Sequence, residues 1–203
     1  VNTTRKLTSV GTITGVRVCP VVTAGVTTFW IIAADNGANT IRGYRVDTTG
    51  ALLSNTGFLA GMYTALPRFD AVTINNQIYI VAMALVNGVP TVHCRSDAGV
   101  LVANDATADA DITTAKTGFA IAGATGESIV VAYSGEIAGI PYIRYRVLST
   151  GLVVSGTYSI ATERGSKITL QRVTATSYAL IFFSADQGAA NDHFTSGYRI
   201  TTA

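Results

Sequence analysis

Residues 44–54 read Tyr-Arg-Val-Asp-Thr-Thr-Gly-Ala-Leu-Leu-Ser, and residues 145–155 read Tyr-Arg-Val-Leu-Ser-Thr-Gly-Leu-Val-Val-Ser. Weaker copies begin at Cys94 (Cys-Arg-Ser-Asp-Ala-Gly-Val-Leu-Val) and at Tyr198 (Tyr-Arg-Ile-Thr-Thr-Ala). The arginines of the four copies stand at positions 45, 95, 146 and 199, so the period is 50, 51 and 53 residues. Self-similarity at a period of this length is typical of repeat folds.

The composition around these copies favours β-strands. The chain has 203 residues, of which 48% are hydrophobic and 13% charged, and it contains 29 threonines but only three lysines and three glutamates. Thr, Val and Ile fit a pleated sheet because their χ1 angles are already restricted. A short apolar run bounded by Gly, Asn, Asp or Ser precedes each copy, at 29–34, 78–83, 129–133 and 178–183. The sequence therefore predicts an all-β fold.

Each repeat is interpreted as four strands. First strands begin near 16, 68, 118 and 167, the apolar run supplies the second strand, and the Tyr-Arg stretch supplies the third. A fourth strand follows a tight turn in which Gly takes a positive φ. Four strands in about 50 residues, repeated radially, predict a propeller blade. The prediction is a single four-bladed β-propeller with repeats at about 15–65, 66–115, 116–165 and 166–203 plus 1–14.

The two ends of the chain suggest how such a ring closes. The fourth repeat stops after its third strand, and residues 5–14 resemble the missing fourth strand as it occurs at 152–160. We therefore expect the N-terminal strand to complete the last blade, which removes exposed sheet edges. The alternative is a fragment of a larger propeller, because the sequence has no initiator Met.

One stretch carries a resemblance to known repeats. Residues 30–37, Trp-Ile-Ile-Ala-Ala-Asp-Asn-Gly, are followed at 43–50 by Gly-Tyr-Arg-Val-Asp-Thr-Thr-Gly. This unit resembles the propeller repeats of large secreted bacterial and phage proteins, although the second copy has Cys94 in place of Tyr and the third lacks the Asp. The resemblance implies a propeller fold and an extracellular or virion-surface location. It implies no particular activity, because propellers host many functions.

Composition and charge also exclude several classes of protein. The longest apolar run, 78–86, is much shorter than the roughly 20 residues that a helix needs to cross a bilayer. The net charge is +2, from 14 basic and 12 acidic residues, which is not the footprint of a nucleic-acid-binding domain. We therefore expect neither membrane insertion nor a nucleic-acid partner.

A set of basic residues suggests a ligand site. Arg17, Arg68, Lys116 and Lys167 fall near the starts of first strands, which line the axis of a propeller, so four cations are expected at one mouth of the channel. A carboxylate, sulfate or sialylated glycan would suit such a ring. The alternative is that these side chains extend into solvent and that Asp70 neutralises part of the charge.

Aromatic residues near the fourth strands add a second element to this site. Phe58, Tyr63 and Tyr158 are expected in the loops that lead to the next first strand. They would either stack on sugar rings or plug gaps between blades. The arginines of the repeated motif are interpreted as structural, bonding backbone carbonyls or stacking on aromatic rings.

The sequence shows no recognisable catalytic or metal-binding pattern. Cys19 and Cys94 lie in non-equivalent strands and favour two buried thiols over a disulfide or a zinc site. Glycoside hydrolysis needs two carboxylates that flank the scissile bond, and the spacing pairs none of the three glutamates. We predict no catalytic residue, no cofactor and no metal. The residues weighed for these roles are His93, His193, Asp105, Asp109, Asp111, Glu127, Glu136 and Glu163.

These observations favour a non-catalytic recognition or structural module. The leading hypothesis is a virion component, such as a phage fibre or decoration domain, which binds a cell-surface glycan or another virion protein. The alternative is a secreted bacterial lectin or adhesin module that binds glycans, and the third hypothesis is a glycan hydrolase or lyase. A homo-oligomer is possible in each case.

Overall fold

The computed structural model describes residues 11–62, 69–83, 90–104, 114–161, 165–185 and 193–202, and these residues form β-strands joined by turns. Four antiparallel sheets follow one another along the chain, and neighbouring strands in each sheet are consecutive in sequence. No helix among the described residues is long and apolar enough to cross a membrane. The all-β prediction is confirmed.

Sheets one to three each have four described strands, and sheet four has three. Sheet one contains β1 (Ile13–Thr23), β2 (Val26–Asp35), β3 (Thr40–Val46) and β4 (Leu52–Ala60), and sheet two contains β5 (Phe69–Ile74), β6 (Gln77–Met83), β7 (Pro90–Arg95) and β8 (Leu101–Asn104). Sheet three contains β9 (Thr114–Ala122), β10 (Ile129–Ile137), β11 (Ile140–Leu148) and β12 (Val154–Ala161), and sheet four contains β13 (Gly165–Thr174), β14 (Ser177–Ala185) and β15 (His193–Thr201).

Apolar side chains join the sheets face to face in three clusters. The first cluster packs Trp30 and Ile32 of sheet one on Ile78 and Ile80 of sheet two. The second joins sheets two and three, and the third joins sheets three and four. The first strands contact one another in the order β1, β5, β9 and β13, so they form the inner side of the assembly. The second strands are buried on both faces in sheets two and three, which explains their unbroken apolar runs.

Hydrogen bonds from aromatic side chains connect neighbouring sheets across these clusters. Trp30 Nε1 donates to the Asp97 carbonyl oxygen at 2.9 Å, and the Tyr79 hydroxyl donates to the Thr150 carbonyl oxygen at 2.8 Å. The Tyr178 hydroxyl donates in the same way to the Ser128 carbonyl oxygen at 2.9 Å. A buried polar tip is costly unless it is bonded, so these contacts help to fix how each sheet sits on the next.

The arginines of the repeated motif are not equivalent in the fold. The turns between third and fourth strands begin at Asp47, Ser96 and Ser149, where the backbone N–H three residues later donates to the carbonyl oxygen. Arg45 stands two residues before its turn, Arg95 one and Arg146 three. Because side chains alternate along a strand, Arg45 faces the following sheet, whereas the other two face the preceding one.

The interpretation of the motif arginines as structural is confirmed for three of them. Arg45 Nε donates to Thr28 Oγ1 at 3.0 Å, and Arg199 Nε donates to Ser177 Oγ at 2.8 Å. Arg95 Nη1 donates to the Gly99 carbonyl oxygen at 2.8 Å, and its guanidinium lies 4.8 Å from the centre of the Phe58 ring. Each arginine therefore ties its strand to a neighbouring strand or turn.

The described strands do not show the predicted closure of the ring. Contacts between first strands join β1 to β5, β5 to β9 and β9 to β13. No extensive contact joins β13 to β1 among the described residues. Val16 and Val18 on the far side of sheet one are 45% and 59% exposed, and Ile181 on the far side of sheet four is 44% exposed. Ala33, Tyr44 and Val46 on the same face of sheet one are nevertheless buried, so this face is exposed only in part. Residues 1–14 were predicted to complete the last blade. Residues 1–10 of this segment lie outside the described part of the chain, whereas Ile13 begins β1 of sheet one and pairs with Asp35 of β2.

Candidate functional site

Two adjoining clefts lie between sheets three and four, on the side away from the first strands. Their volumes are about 270 Å³ and about 240 Å³. Both are lined by Tyr145 of β11 and Tyr158 of β12, together with the β15 residue Thr201. We call the two clefts together the tyrosine cleft. Concave sites of this kind, with aromatic walls and a few polar groups, are typical of small-ligand binding.

One wall of the tyrosine cleft is a pair of stacked phenol rings. Tyr145 and Tyr158 are direct partners in the register of β11 and β12. Their ring centres are 4.8 Å apart, and the ring planes are inclined by 19°. Tyr158 is 48% exposed, so one face or edge of the pair is available to a ligand.

A glycine makes room for this arrangement. A methyl group at Gly156, two residues before Tyr158 on the same face of β12, would lie 2.6 Å from two carbon atoms of the Tyr158 ring. Any larger residue at position 156 would therefore push the ring off its partner. Burial raises the pKa of the Tyr145 hydroxyl, and the neighbouring Tyr158 raises it further. Tyr145 therefore stays protonated at neutral pH and can donate a hydrogen bond.

The opposite wall comes from β15 of sheet four. Tyr198 is 38% exposed, and its ring stacks on Phe182 of β14 with 5.7 Å between ring centres and 5° between planes. Phe182 is fully buried in the cluster between sheets three and four, together with Ile200. The exposed Tyr198 ring therefore packs on the buried ring of Phe182, whose position is fixed by its neighbours.

The register of the strands turns the side chains of two arginines away from the cleft. Tyr198 pairs with Leu180, whose side chain faces sheet three, whereas Arg199 pairs with Ala179 and points to the other face. On β11, Arg146 pairs with Val131, which packs towards sheet two, so this arginine also points away. Arg199 belongs to the lining of the larger cleft, but its Nε donates to Ser177 Oγ on the other face of sheet four. The other described residues that line the cleft are phenolic, aliphatic or hydroxylic.

Arg17, the first member of the predicted cation ring, forms contacts within the protein. Arg17 lies on β1, as expected, but its Nε forms a salt bridge with Asp70 Oδ1, and its guanidinium is 6.0 Å from the centre of the Phe69 ring. The second carboxylate oxygen of Asp70 accepts a hydrogen bond from the Ile121 backbone N–H at 3.1 Å. The expectation that Asp70 would neutralise part of the ring is confirmed.

Three of the other predicted site residues lie in the described part of the chain. Lys116 lies on β9 and Lys167 on β13, which are first strands as predicted, and Lys167 is exposed on the free face of sheet four. Arg68 and Tyr63 lie outside the described residues. The placement of Tyr158 in a loop at the axial mouth was wrong, because β12 extends through this residue and is the strand of its sheet farthest from β9.

Several secondary expectations can also be compared with the structure. Phe58 is buried against Trp30 with 4.9 Å between ring centres, so it fills the junction of sheets one and two. Cys19 and Cys94 are buried and free, as predicted. Among the glutamates, Glu127 lies in a turn and pairs with Arg172, whereas Glu136 lies within β10 instead of a loop. Asp105, Asp109, Asp111 and Glu163 lie outside the described residues.

Sequence reasoning missed Tyr145 and Tyr198 as site residues. Each of these tyrosines is the first residue of a copy of the repeated motif. The recurrence of the motif was used only to define the strands. A usable signal was present, because the tyrosine and arginine of each copy are adjacent and must point to opposite faces of the sheet. No cluster of three or more His, Cys, Asp or Glu side chains that could hold a metal ion occurs in the part of the chain that the structure describes.

Comparison with solved structures identifies the fold. The chain is similar to the six-bladed β-propeller lectin of the fungus Aleuria aurantia, which has a novel fucose recognition mode, with a TM-score of 0.53 and 12% identity over 94% of this chain. It is also similar to the Dos1 propeller, with a TM-score of 0.51 and 11% identity over 92% of this chain. The fold is that of a β-propeller.

The chain spans only part of these proteins, covering 65% of the lectin and 48% of the Dos1 propeller. An α-L-arabinofuranosidase from Clostridium thermocellum aligns with 92% of this chain and 70% of its own at 10% identity, but its TM-score of 0.49 is too low to support an argument. No protein-family model matches the sequence, and no curated protein matches it either.

Proposed function

We propose that this protein is a non-catalytic carbohydrate-binding propeller whose ligand occupies the tyrosine cleft. The observation that carries the proposal is the convergence of Tyr145, Tyr158 and Tyr198 on one cleft between two sheets. The apolar C–H face of a sugar ring packs on an aromatic ring, while phenol hydroxyls exchange hydrogen bonds with sugar hydroxyls. The fold that the chain shares with a fucose-recognising lectin supports this assignment.

The chemistry of the cleft favours a neutral sugar over an acidic one. A carboxylate or sulfate needs a cation or several N–H donors. Arg199 belongs to the cleft lining, but its guanidinium is directed to Ser177 on the other face of sheet four, and Arg146 points towards sheet two. Arg17, the predicted anchor of an acidic ligand, is held by Asp70. The apolar surfaces of Ile160 and Ile200 in the same lining suit the C–H groups of a neutral sugar.

The absence of catalysis is part of the proposal. Hydrolysis of a glycosidic bond requires two carboxyl groups on opposite sides of that bond. No carboxylate occurs among the described residues that line the tyrosine cleft. Release of a chromophore from aryl glycosides by the purified protein would contradict this part of the proposal.

The binding experiment is a glycan array followed by calorimetry with the best neutral hit. We expect Tyr158→Ala to weaken binding at least tenfold, because the stacked wall loses its exposed ring. Tyr158→Phe should lose less, because it keeps the ring and removes only the hydroxyl. Tyr142→Phe is the matched control, since this tyrosine lies on the opposite face of β11. Undiminished binding by Tyr158→Ala, or hits confined to acidic glycans, would refute the assignment.

Two finer predictions from the sequence stay predictions. One is a virion or secreted setting, which the genes next to this one would test, since tail and capsid genes differ from secretion genes. The other is a closed ring of four blades completed by residues 1–14, which a cross-link between cysteines placed in that segment and in β15 would test. The tyrosine cleft depends on neither of them, because it is built by sheets three and four.

A further inference from the structure

We propose that the ligand of the tyrosine cleft contains at least two linked sugar rings, with one ring in each of the two adjoining clefts. This inference rests on the proposed carbohydrate-binding function and names the kind of carbohydrate, a neutral disaccharide or a longer chain that contains one. The two clefts share Tyr145, Tyr158 and Thr201, so these three residues form the boundary between a larger and a smaller subsite.

The tyrosine cleft is elongated in the direction of the strands. Its lining on β15 runs from Tyr198 to Thr202, a distance of about 13 Å at the usual rise per residue. A single sugar ring covers only part of this length, whereas two linked rings reach both ends. The volumes of about 270 Å³ and about 240 Å³ agree with this, because sites for small ligands usually exceed about 300 Å³ and only the two clefts together reach that size.

The larger cleft is suited to hold a sugar by its apolar faces. It alone contains Tyr198 and Ile160, which face the stacked rings of Tyr145 and Tyr158 across the gap between the sheets. A sugar ring in this place contacts apolar surface on two sides, and its C–H groups pack on the aromatic rings. We therefore assign the more tightly held ring of the ligand to the larger cleft.

A β-bulge adds a hydroxyl group to the smaller cleft. Val147 pairs with Gly156 and Leu148 pairs with Val154, so Ser155 is the extra residue of β12 at this point. Ser155 is exposed and belongs to the lining of the smaller cleft alone. Its Oγ donates to the Val147 carbonyl oxygen at 3.1 Å, so its lone pairs are directed to accept a hydrogen bond from a sugar hydroxyl.

The backbone of β15 supplies further polar groups to both clefts. The Thr202 N–H donates to the Thr176 carbonyl oxygen at 2.8 Å, so every second residue before Thr202 also bonds to β14. The N–H and carbonyl groups of Arg199 and Thr201 therefore point away from β14. Arg199 thus lines the cleft with its backbone, although its side chain is directed to the other face of the sheet. These groups recur at about 7 Å along the strand, so they can bond hydroxyls of two successive sugar rings.

Isothermal titration calorimetry with the whole chain tests the two-ring assignment. The probes are the best neutral hit of the glycan array, each disaccharide unit of that hit, and each of its sugars as a methyl glycoside. We expect one disaccharide unit to bind about tenfold more tightly than either of its single sugars, because the second ring adds contacts in the second cleft. This comparison uses the unaltered protein, so it does not depend on the folding of any variant.

Two substitutions separate the clefts. Ser155→Leu fills part of the smaller cleft from an exposed position, so it should lower the affinity for the disaccharide to that for the single sugar and leave the single sugar unaffected. Tyr198→Ala removes one wall of the larger cleft and should weaken both probes. Thr157→Leu is the matched control, because Thr157 is exposed on the same strand, pairs with Arg146 and lines neither cleft. Circular dichroism of each variant checks that the sheets are retained.

The outcomes distinguish this inference from the proposed function. Equal affinity for the disaccharides and the single sugars would overturn the two-ring assignment, as would a folded Ser155→Leu variant that keeps the full tenfold gain. If Tyr158→Ala still weakens binding in that case, the tyrosine cleft is a site for one sugar and the proposed function stands. Binding that Tyr158→Ala leaves unchanged would refute the proposed function and the two-ring assignment together.

Discussion

At the scale of single residues, Asp70 holds Arg17, one member of the predicted cation ring, in a structural contact. It lies on β5 of sheet two and uses both carboxylate oxygens for contacts with neighbouring sheets. One oxygen pairs with Arg17 of sheet one, and the other accepts the Ile121 N–H of sheet three. A single carboxylate therefore connects three first strands. The basic residue that the sequence marked as a binding group has a structural partner.

The two contacts of Asp70 should differ in their effect on stability. Asp70→Ala leaves the Ile121 N–H without its acceptor, and we expect a loss of about 1–3 kcal/mol in the free energy of unfolding. Arg17→Ala removes only a salt bridge whose arginine is 45% exposed, and we expect a loss of at most about 1 kcal/mol. Urea unfolding of both variants measures the difference. An equal loss in the two variants would mean that the bond to Ile121 contributes little.

At the scale of strands and turns, the sequence predicted the number and order of strands correctly in the part that the structure describes. It failed in the register of the third strands. Matching Arg45 with Arg95 and Arg146 aligned residues that stand at different distances from their turns. A shift of one residue moves a side chain to the other face of a sheet, so sequence similarity alone does not tell which sheet a residue faces.

The tyrosine cleft was only partly predictable for the same reason. Tyr158 was selected from the sequence as an aromatic group near a fourth strand, but its stacking partner is set by the pairing of β11 with β12. Tyr198 reaches the cleft because β15 presents Tyr198 and not Arg199 to sheet three. These contacts depend on how the sheets pack on one another, and the repeat pattern of a single sequence does not reveal that packing.

The turns after the third strands allow a test of how much a positive φ at glycine contributes to stability. Gly50 has a φ of +81° in the turn after β3, with no atom within 4 Å of an added methyl group. Gly50→Ala should therefore lower the free energy of unfolding by about 1–2 kcal/mol through backbone strain alone. Gly57→Ala in β4 is the control, because an added methyl there meets only Thr40 at 3.8 Å. Thermal unfolding that shows the same loss for both variants would disprove the role of the turn.

At the scale of the whole molecule, stability should follow the order of the sheets. Sheets two and three each pack on two neighbouring sheets, whereas sheets one and four each pack on one neighbouring sheet among the described residues. In repeat arrays each unit is stabilised mainly by its direct neighbours, so terminal units open more easily than central ones. The second strands β2, β6, β10 and β14 occupy equivalent places and allow a direct comparison of the four sheets.

Hydrogen exchange measured by mass spectrometry tests this order. At low protein concentration, β6 and β10 should exchange most slowly, while β14 should exchange faster because sheet four is covered on one face only. Equal protection of all four second strands would contradict this order and would indicate that the outer faces of sheets one and four are covered as well.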